Sequence, residues 1–346
     1  MQVNLCNAQK KKEDLKEITI SGRGVLDCIV TDSSIWLLSS NGILYLLNHS
    51  YSITKEFKLQ SKIQAISIDS SKNILVAEAN GTVSQIEQNL SVKLIGKTGQ
   101  NIIDIIVTKG NSTLLITDKG IYIPEEERLI YQNAFDNLFL AEHSIYSWRP
   151  TCYYLDDENN LWMGFGAGEW GGDVLIYSIS KKRLQNLKEK VNSFCYLSPV
   201  KSIFKVDSSV LIAQSVMHFN ISSEIIKVRD SCSAFFRSTP FSDTSVGIYK
   251  GETIYIGPTI FNEPDNSLYL YSQFGVFVGN MSTDLSKMEN WKLLFKANLK
   301  WRSGQSDAIG SPMNVKKLMI YDSKIFLVSP ENGVLIWNGK NKILLR

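Results

Sequence analysis

An apolar run, a polar turn, a second apolar run, a glycine and a third apolar run recur in that order six or seven times along this chain. The clearest copies span residues 63–86 (IQAISIDSSKNILVAEANGTVSQI), 315–337 (VKKLMIYDSKIFLVSPENGVLIW) and 25–47 (VLDCIVTDSSIWLLSSNGILYLL). The runs are rich in β-branched and aromatic residues and end at Gly, Asn, Asp or Ser, which is the chemistry of strands and turns. One such unit cannot bury both of its faces, so it must stack against its neighbours. An all-β ring of four-stranded antiparallel blades, a seven-bladed β-propeller with six or eight blades as the alternatives, satisfies that demand over 346 residues.

The expected innermost strands are residues 25–30, 63–68, 102–108, 151–155, 200–206, 259–261 or the run before it, and 316–321. The corners between the second and third strands carry Asn41-Gly42, Asn80-Gly81 and Asn332-Gly333, and Lys119-Gly120 and Phe274-Gly275 take the same place. The pattern predicts two-residue turns with positive φ at both central positions. From one corner glycine to the next the spacing is 39 and again 39 (Gly42, Gly81, Gly120), so three blades keep one period. In blade 5 the third and fourth strands are expected at 217–221 and 224–228. Residues 1–15 read as a flexible N-terminal segment and 16–346 as one propeller domain, with 18–20 available as an extra strand on the last blade.

Composition excludes several classes of function. The formal charge of +3 is small for this length, and the basic runs at 10–12 and 181–183 read as a solvated tail and turn. No basic stripe with interleaved aromatics is present, so nucleic acid is not an expected partner. No run of about 18 apolar residues occurs and residues 1–17 hold no apolar leader core, which points to a cytoplasmic protein without membrane contact. The five cysteines, Cys6, Cys28, Cys152, Cys195 and Cys232, are odd in number and irregularly spaced, which argues against a disulfide framework or a zinc site.

Residues 156–164 (DDENNLWMG), followed by 171–177 (GGDVLIY), resemble the blade of the two-component-regulator type of bacterial propeller, D-x-x-G-N-L-W-I-G-T and then G-G-L with an aromatic strand. Asn159 stands where that repeat has Gly, and the other blades keep the apolar order without the signature letters. The resemblance implies a bacterial propeller that senses or binds. It brings no catalytic residue.

Departures from the plain repeat cluster in the long segments 133–150, 165–173, 229–258 and 297–314. In a four-stranded blade, connections between blades and second-to-third-strand loops open on one face, and these segments belong to that group. Segment 281–290 is the exception. Insertions gathered on one face mark a binding face in repeat proteins. These segments carry Trp148, Arg149, Glu169, Trp170, Phe235, Phe236, Arg237, Phe241, Trp301 and Arg302. Trp, Tyr and Arg dominate the energetics of protein interfaces. For Phe235 and Phe236, packing against the blades is an equal alternative. The Gly-rich loop around Trp170 lacks the Lys-[Ser/Thr] of a phosphate loop.

No catalytic set stands out. His49, His143 and His218 are not at ligand spacing, Asp156-Asp157-Glu158 lacks the spacing of a calcium loop, and no nucleophile elbow occurs. No cofactor is expected. The sequence therefore reads as a non-catalytic, monomeric, protein-binding propeller. Its abundant Lys, Ile, Asn and Ser fit an AT-rich bacterial genome. The sharpest form of the reading is a bacterial immunity protein whose partner is a secreted toxin or effector. One alternative is a glycosidase- or lyase-type enzyme using Glu169, Asp173, Asp243 and Asp307 at the channel mouth. The other is a small-ligand sensor with a deep polar pocket.

Overall fold

Each apolar run becomes a strand covered on both sides by neighbouring blades. In blade 1, strands β2 (Val25–Val30), β3 (Ile35–Ser39), β4 (Leu44–Leu47) and β5 (Ile53–Phe57) run antiparallel from the centre outwards, after a separate strand β1 (Leu15–Ile18). Blade 2 is β6 (Ile63–Ile68), β7 (Ile74–Glu78), β8 (Thr82–Ile86) and β9 (Val92–Lys97). Blade 3 is β10 (Ile102–Val107), β11 (Thr113–Thr117), β12 (Gly120–Ile123) and β13 (Arg128–Tyr131). Blade 4 is β14 (Cys152–Leu155), β15 (Asn160–Gly166), β16 (Gly172–Ser178) and β17 (Arg183–Asn186), and a one-turn helix (Leu187–Val191) follows it. Blade 5 is β18 (Val200–Val206), β19 (Ser209–Met217), β20 (Ile221–Val228) and β21 (Cys232–Arg237). A two-stranded hairpin, β22 (Phe241–Asp243) and β23 (Ile248–Glu252), leads into blade 6. That blade is β24 (Thr259–Asn262), β25 (Ser267–Ser272), β26 (Gly275–Asn280) and β27 (Trp291–Phe295). Blade 7 is β28 (Lys317–Tyr321), β29 (Lys324–Ser329), β30 (Gly333–Trp337) and β31 (Lys342–Leu345). The computed structural model thus shows a seven-bladed propeller, described over residues 15–20, 24–131, 149–166, 168, 171–191, 195–217, 221–243, 248–299 and 315–346.

The apolar side chains sort into clusters that coincide with the interfaces between blades. In β3, Ile35 and Leu37 face blade 7 and meet Phe326, Val328 and Ile336, while Trp36 and Leu38 face blade 2 and meet Ile66 and Val76. This explains why the middle strands read as continuous apolar runs. Side chains alternate between faces, and both faces are buried. The ring closes by the same packing between blades 7 and 1. Strand β1 adds a fifth, outermost strand to blade 7, parallel to β31 (Leu15 opposite Lys342, Ile18 opposite Leu345).

Corner glycines behave differently from the expected two-residue turn. Gly42 and Gly81 have φ of 79° and 81°, and the preceding Asn41 and Asn80 do not join them in the left-handed region. Gly42 N–H donates to Ser39 O at 2.9 Å and Ser39 N–H to Ile43 O at 3.0 Å, a three-residue loop ending on a left-handed glycine. The glycine is needed twice over, because a Cβ on Gly81 would also collide with Thr98 O in the chain leaving the blade.

Two further expectations are corrected. Blade 5 has its third strand at Ile221–Val228 and its fourth at Cys232–Arg237, so part of the segment read as an insertion is blade. Cys195 and Cys232 form a disulfide with a Cα–Cα separation of 5.8 Å. Sequence spacing is no guide to that distance, because the ring brings the chain before β18 beside the outer strand of the same blade.

Candidate functional site

All seven innermost strands, β2, β6, β10, β14, β18, β24 and β28, line a central channel of about 1040 Å³. They begin on one face, the entry face, where the connections between blades and the second-to-third-strand loops also open. The described strand ends that flank residues 132–148 and 300–314, and those that flank the β15–β16 loop and the β22–β23 hairpin, lie at this face. The long exception, between β26 and β27, opens on the opposite face.

The innermost strands begin irregularly. Register shifts fall between Val25 and Asp27, Ile63 and Ala65, Ile102 and Asp104, and Val200 and Ser202, one extra residue each time. These bulges re-aim the first side chains at the channel mouth. There the mouth is ionic, with Asp27, Asp104, Lys201, Lys316 and Lys317 among its lining residues, while Ile29, Ile66, Ile68, Ile106, Phe204 and Ile260 make the rest of the wall largely apolar.

The charges are unequally paired. Lys317 Nζ lies 3.0 Å from Asp27 Oδ1 and donates to Cys28 O at 3.2 Å. Burial works against the Lys317 charge, but the Asp27 carboxylate, together with Cys28 and Asp104, offsets it and holds the ammonium above the ordinary lysine value. The Asp104 carboxylate accepts the Ile105 N–H at 2.9 Å. Burial pushes its pKa up to about 6 against the pull of Lys316, with Asp27 adding to the rise. Lys201 Nζ sits 5.5 Å from the centroid of the Tyr255 ring. Lys201 and Lys316 have no carboxylate partner within ion-pair distance among the described residues. The buried hydroxyl of Tyr153, on the channel wall, has no hydrogen-bond partner among the described residues. Buried thiols at Cys28 and Cys152 are pushed up to about 12 by desolvation, so neither is a nucleophile near neutral pH.

The far mouth is internally paired. Asp157 takes Lys109 Nζ at 2.7 Å and also Lys205 Nζ. Hydrogen bonds from both lysines hold its carboxyl down at about 2. Adjacent blades also latch through their turns, Ser70 N–H donating to Asn111 Oδ1 at 3.0 Å and Lys109 N–H to Asn159 Oδ1 at 3.3 Å.

The residues expected to meet a partner fall in different places. Arg149 is exposed at the start of blade 4 on the entry face. Arg237 is exposed and pairs with Glu224 at 2.8 Å. Phe236 is buried, with its ring 5.1 Å from that of Trp291, so the packing alternative holds for it; Phe235 packs part-buried on the same cluster. Phe241 lies on β22. Trp148, Glu169, Trp170, Trp301 and Arg302 lie outside the described residues. Of the four carboxylates of the enzyme alternative, Glu169 and Asp307 also lie outside them and Asp243 is on β22. Asp173 accepts the Val174 N–H at 2.7 Å, and burial raises its pKa to about 6. His49 Nε2 donates to Asp32 O at 3.1 Å, far from any ligand set; His143 and His218 lie outside the described residues. No group of three or more His, Cys, Asp or Glu able to hold a metal occurs among the described residues.

Sequence reasoning missed the channel charges. Their signal was present as an aspartate at the third position of two otherwise apolar innermost strands, VLDCIV and IIDIIV.

No protein-family model matches the sequence, and no curated protein matches it. Solved structures do. The extracellular domain of BT3049, described as a hybrid two-component system of B. thetaiotaomicron, superposes with a TM-score of 0.60 at 12% identity over 92% of this chain, which spans 39% of that one. Virginiamycin B lyase of Staphylococcus aureus gives 0.53 at 11% identity over 89% of this chain and 92% of its own. The computationally designed protein Ika8 gives 0.52 at 11% identity over 90% and 83%. The likeness is one of fold. The extracellular domain of a two-component system, a lyase and a design share it, so the fold leaves chemistry open. Among the described residues no helix is long and apolar enough to cross a membrane.

Proposed function

We propose that this chain is a non-catalytic recognition propeller that binds another protein with its entry face. The observation that supports the reading is the placement of strand ends: those that flank all but one of the long connections lie around one mouth of the channel. Exposed Arg149 and Arg237, and the expected contact residues Trp148, Trp170 and Trp301 in the intervening segments, are of the types that anchor protein interfaces. In its sharpest form the partner is a secreted toxin or effector that the propeller neutralises. The Cys195–Cys232 disulfide supports an encounter in an oxidising compartment in place of the cytoplasm.

The experiment is site-specific photo-crosslinking in the producing cells. A crosslinker at position 149 or 168 on the entry face is expected to give one discrete protein adduct, and one at 72 or 340 on the opposite face none. Equal adduct formation from both faces, or none from either, would overturn the reading.

A further inference from the structure

The geometry points to the entry mouth of the central channel as a binding site for a small carboxylic acid, whose carboxylate is taken by Lys316 and Lys201 and by the hydroxyl of Tyr153, with its apolar body in the channel below. The site does not rest on the protein-binding reading, because its residues lie inside the ring and not on the long connections.

Charge balance comes first. Three ammonium groups, Lys201, Lys316 and Lys317, meet two carboxylates, Asp27 and Asp104. One of those carboxylates is taken up by Lys317 at 3.0 Å. That leaves Lys316 facing Asp104, whose own charge burial disfavours, and Lys201 near Tyr255 and Cys152 with no carboxylate at ion-pair distance among the described residues. A mouth with unspent cations and low-dielectric walls concentrates anions. Second, the Tyr153 hydroxyl is a buried donor without an acceptor among the described residues, an arrangement that a ligand oxygen would relieve. Asp104 is near enough to act on Tyr153 electrostatically, yet no hydrogen bond joins them. Third, the wall beneath is apolar, with Ile66, Ile106, Phe204 and Ile260 contributed by four different blades. A cavity of about 1040 Å³ with a few convergent polar groups over an apolar wall is the ordinary shape of a small-molecule site. A carboxylate suits the donors: two point charges and one hydroxyl meet two oxygens with several lone pairs.

The opposite mouth offers a contrast. Its lysines, Lys109 and Lys205, are both committed to Asp157. An anion would have to break those pairs there, whereas at the entry mouth Lys316 and Lys201 hold no carboxylate among the described residues that it would displace.

The test is calorimetric titration of the full chain with hexanoate, and with hexanamide as an uncharged control of the same body. A dissociation constant of roughly 0.1–1 mM is expected for hexanoate, from ordinary ligand efficiency. Lys316→Ala should weaken it about tenfold and Tyr153→Phe about fivefold, whereas Asp104→Asn, which removes a repelling charge without removing a donor, should tighten it about fivefold. The opposed signs separate a site from a folding defect, since a damaged ring would lose binding in every variant. A short peptide with a free C-terminus and its amidated form distinguish a free acid from the end of a partner's chain. Binding of the free-ended peptide alone, lost in Lys316→Ala, keeps the carboxylate site and assigns its source. The proposal is overturned if hexanamide binds as well as hexanoate, if Lys316→Ala binds normally, or if neither hexanoate nor the peptide saturates below about 10 mM.

Discussion

Asp156 shows how a sequence signature can be structural in origin. Its carboxylate accepts the Asn160 N–H at 2.8 Å, the Asn160 side-chain amide at 3.0 Å and the Trp162 indole N–H at 2.8 Å. The letters D, N and W of the regulator-type blade are one acceptor and its donors, tying the turn between first and second strands to the strand that follows. Blade 2 repeats the device without the tryptophan: Asp69 accepts the Asn73 N–H at 2.8 Å, the Asn73 amide at 2.9 Å and, in the place of an indole, the Gln85 amide at 2.8 Å. Those letters therefore stabilise a turn and carry no ligand. Asp156→Ala leaves two or three buried donors without an acceptor and is expected to cost about 3 kcal/mol, read as a shift in the urea midpoint at unchanged slope. A loss below about 1 kcal/mol would show that water replaces the carboxylate and that the cluster is not the basis of the signature.

At the scale of the element, blade 5 is where periodicity stops being a guide. Blades 1 to 3 were legible because Gly42, Gly81 and Gly120 sit at one spacing and apolar runs flank them. Blade 5 has no corner glycine; its long second strand runs to Met217 and the third begins at Ile221. The outer strand, CSAFFR, alternates weakly, because Ser233 and Ala234 face solvent while Phe236 fills the cluster shared with blade 6. Reading Phe235 and Phe236 as loop residues followed from that missing landmark. The disulfide was illegible for a related reason, since Cys232 is placed by a strand that the sequence did not announce. It closes a loop over a separation of 37 residues between the approach to β18 and the rim of the blade. Chain entropy assigns a closure of that length about 3–4 kcal/mol. The Cys195→Ser/Cys232→Ser double variant should lose about that much, and the native chain should lose a similar amount on reduction by dithiothreitol. A double variant as stable as the native chain, or unaffected reduction, would show that the loop is already ordered without the bond.

At the scale of the molecule, the question is what holds the ring shut. Many propellers must guard a seam, and here two devices overlap on it. One is the packing of blade 7 on blade 1, in which Phe326, Val328, Val334 and Ile336 meet Val25, Ile35, Leu37 and Leu47, all buried. That seam has the same construction as every other interface, and the repeat alone implied it. The other is β1, which covers the outer edge of blade 7 in parallel with β31. Arg346 N–H donates to Ile18 O at 3.0 Å, and Arg346 Nη1 lies 3.3 Å from Glu17 Oε2. The first three residues of β1 are exposed, and only Ile18 and Ile20 reach the cluster beneath. An exposed pairing of this kind adds little, because each backbone bond exchanges for one to water and the ion pair is screened. Its contribution is protection of an edge that would otherwise recruit another strand. Removing residues 1–20 is therefore expected to leave all seven blades intact and to cost no more than about 3 kcal/mol, while promoting concentration-dependent association. Circular dichroism, urea unfolding and light scattering of the truncated chain read the three effects separately. Collapse of the fold on truncation would make β1 the true closure and blade 7 packing insufficient. A stable truncated chain that stays monomeric at high concentration would instead show that the edge of β31 needs no cover.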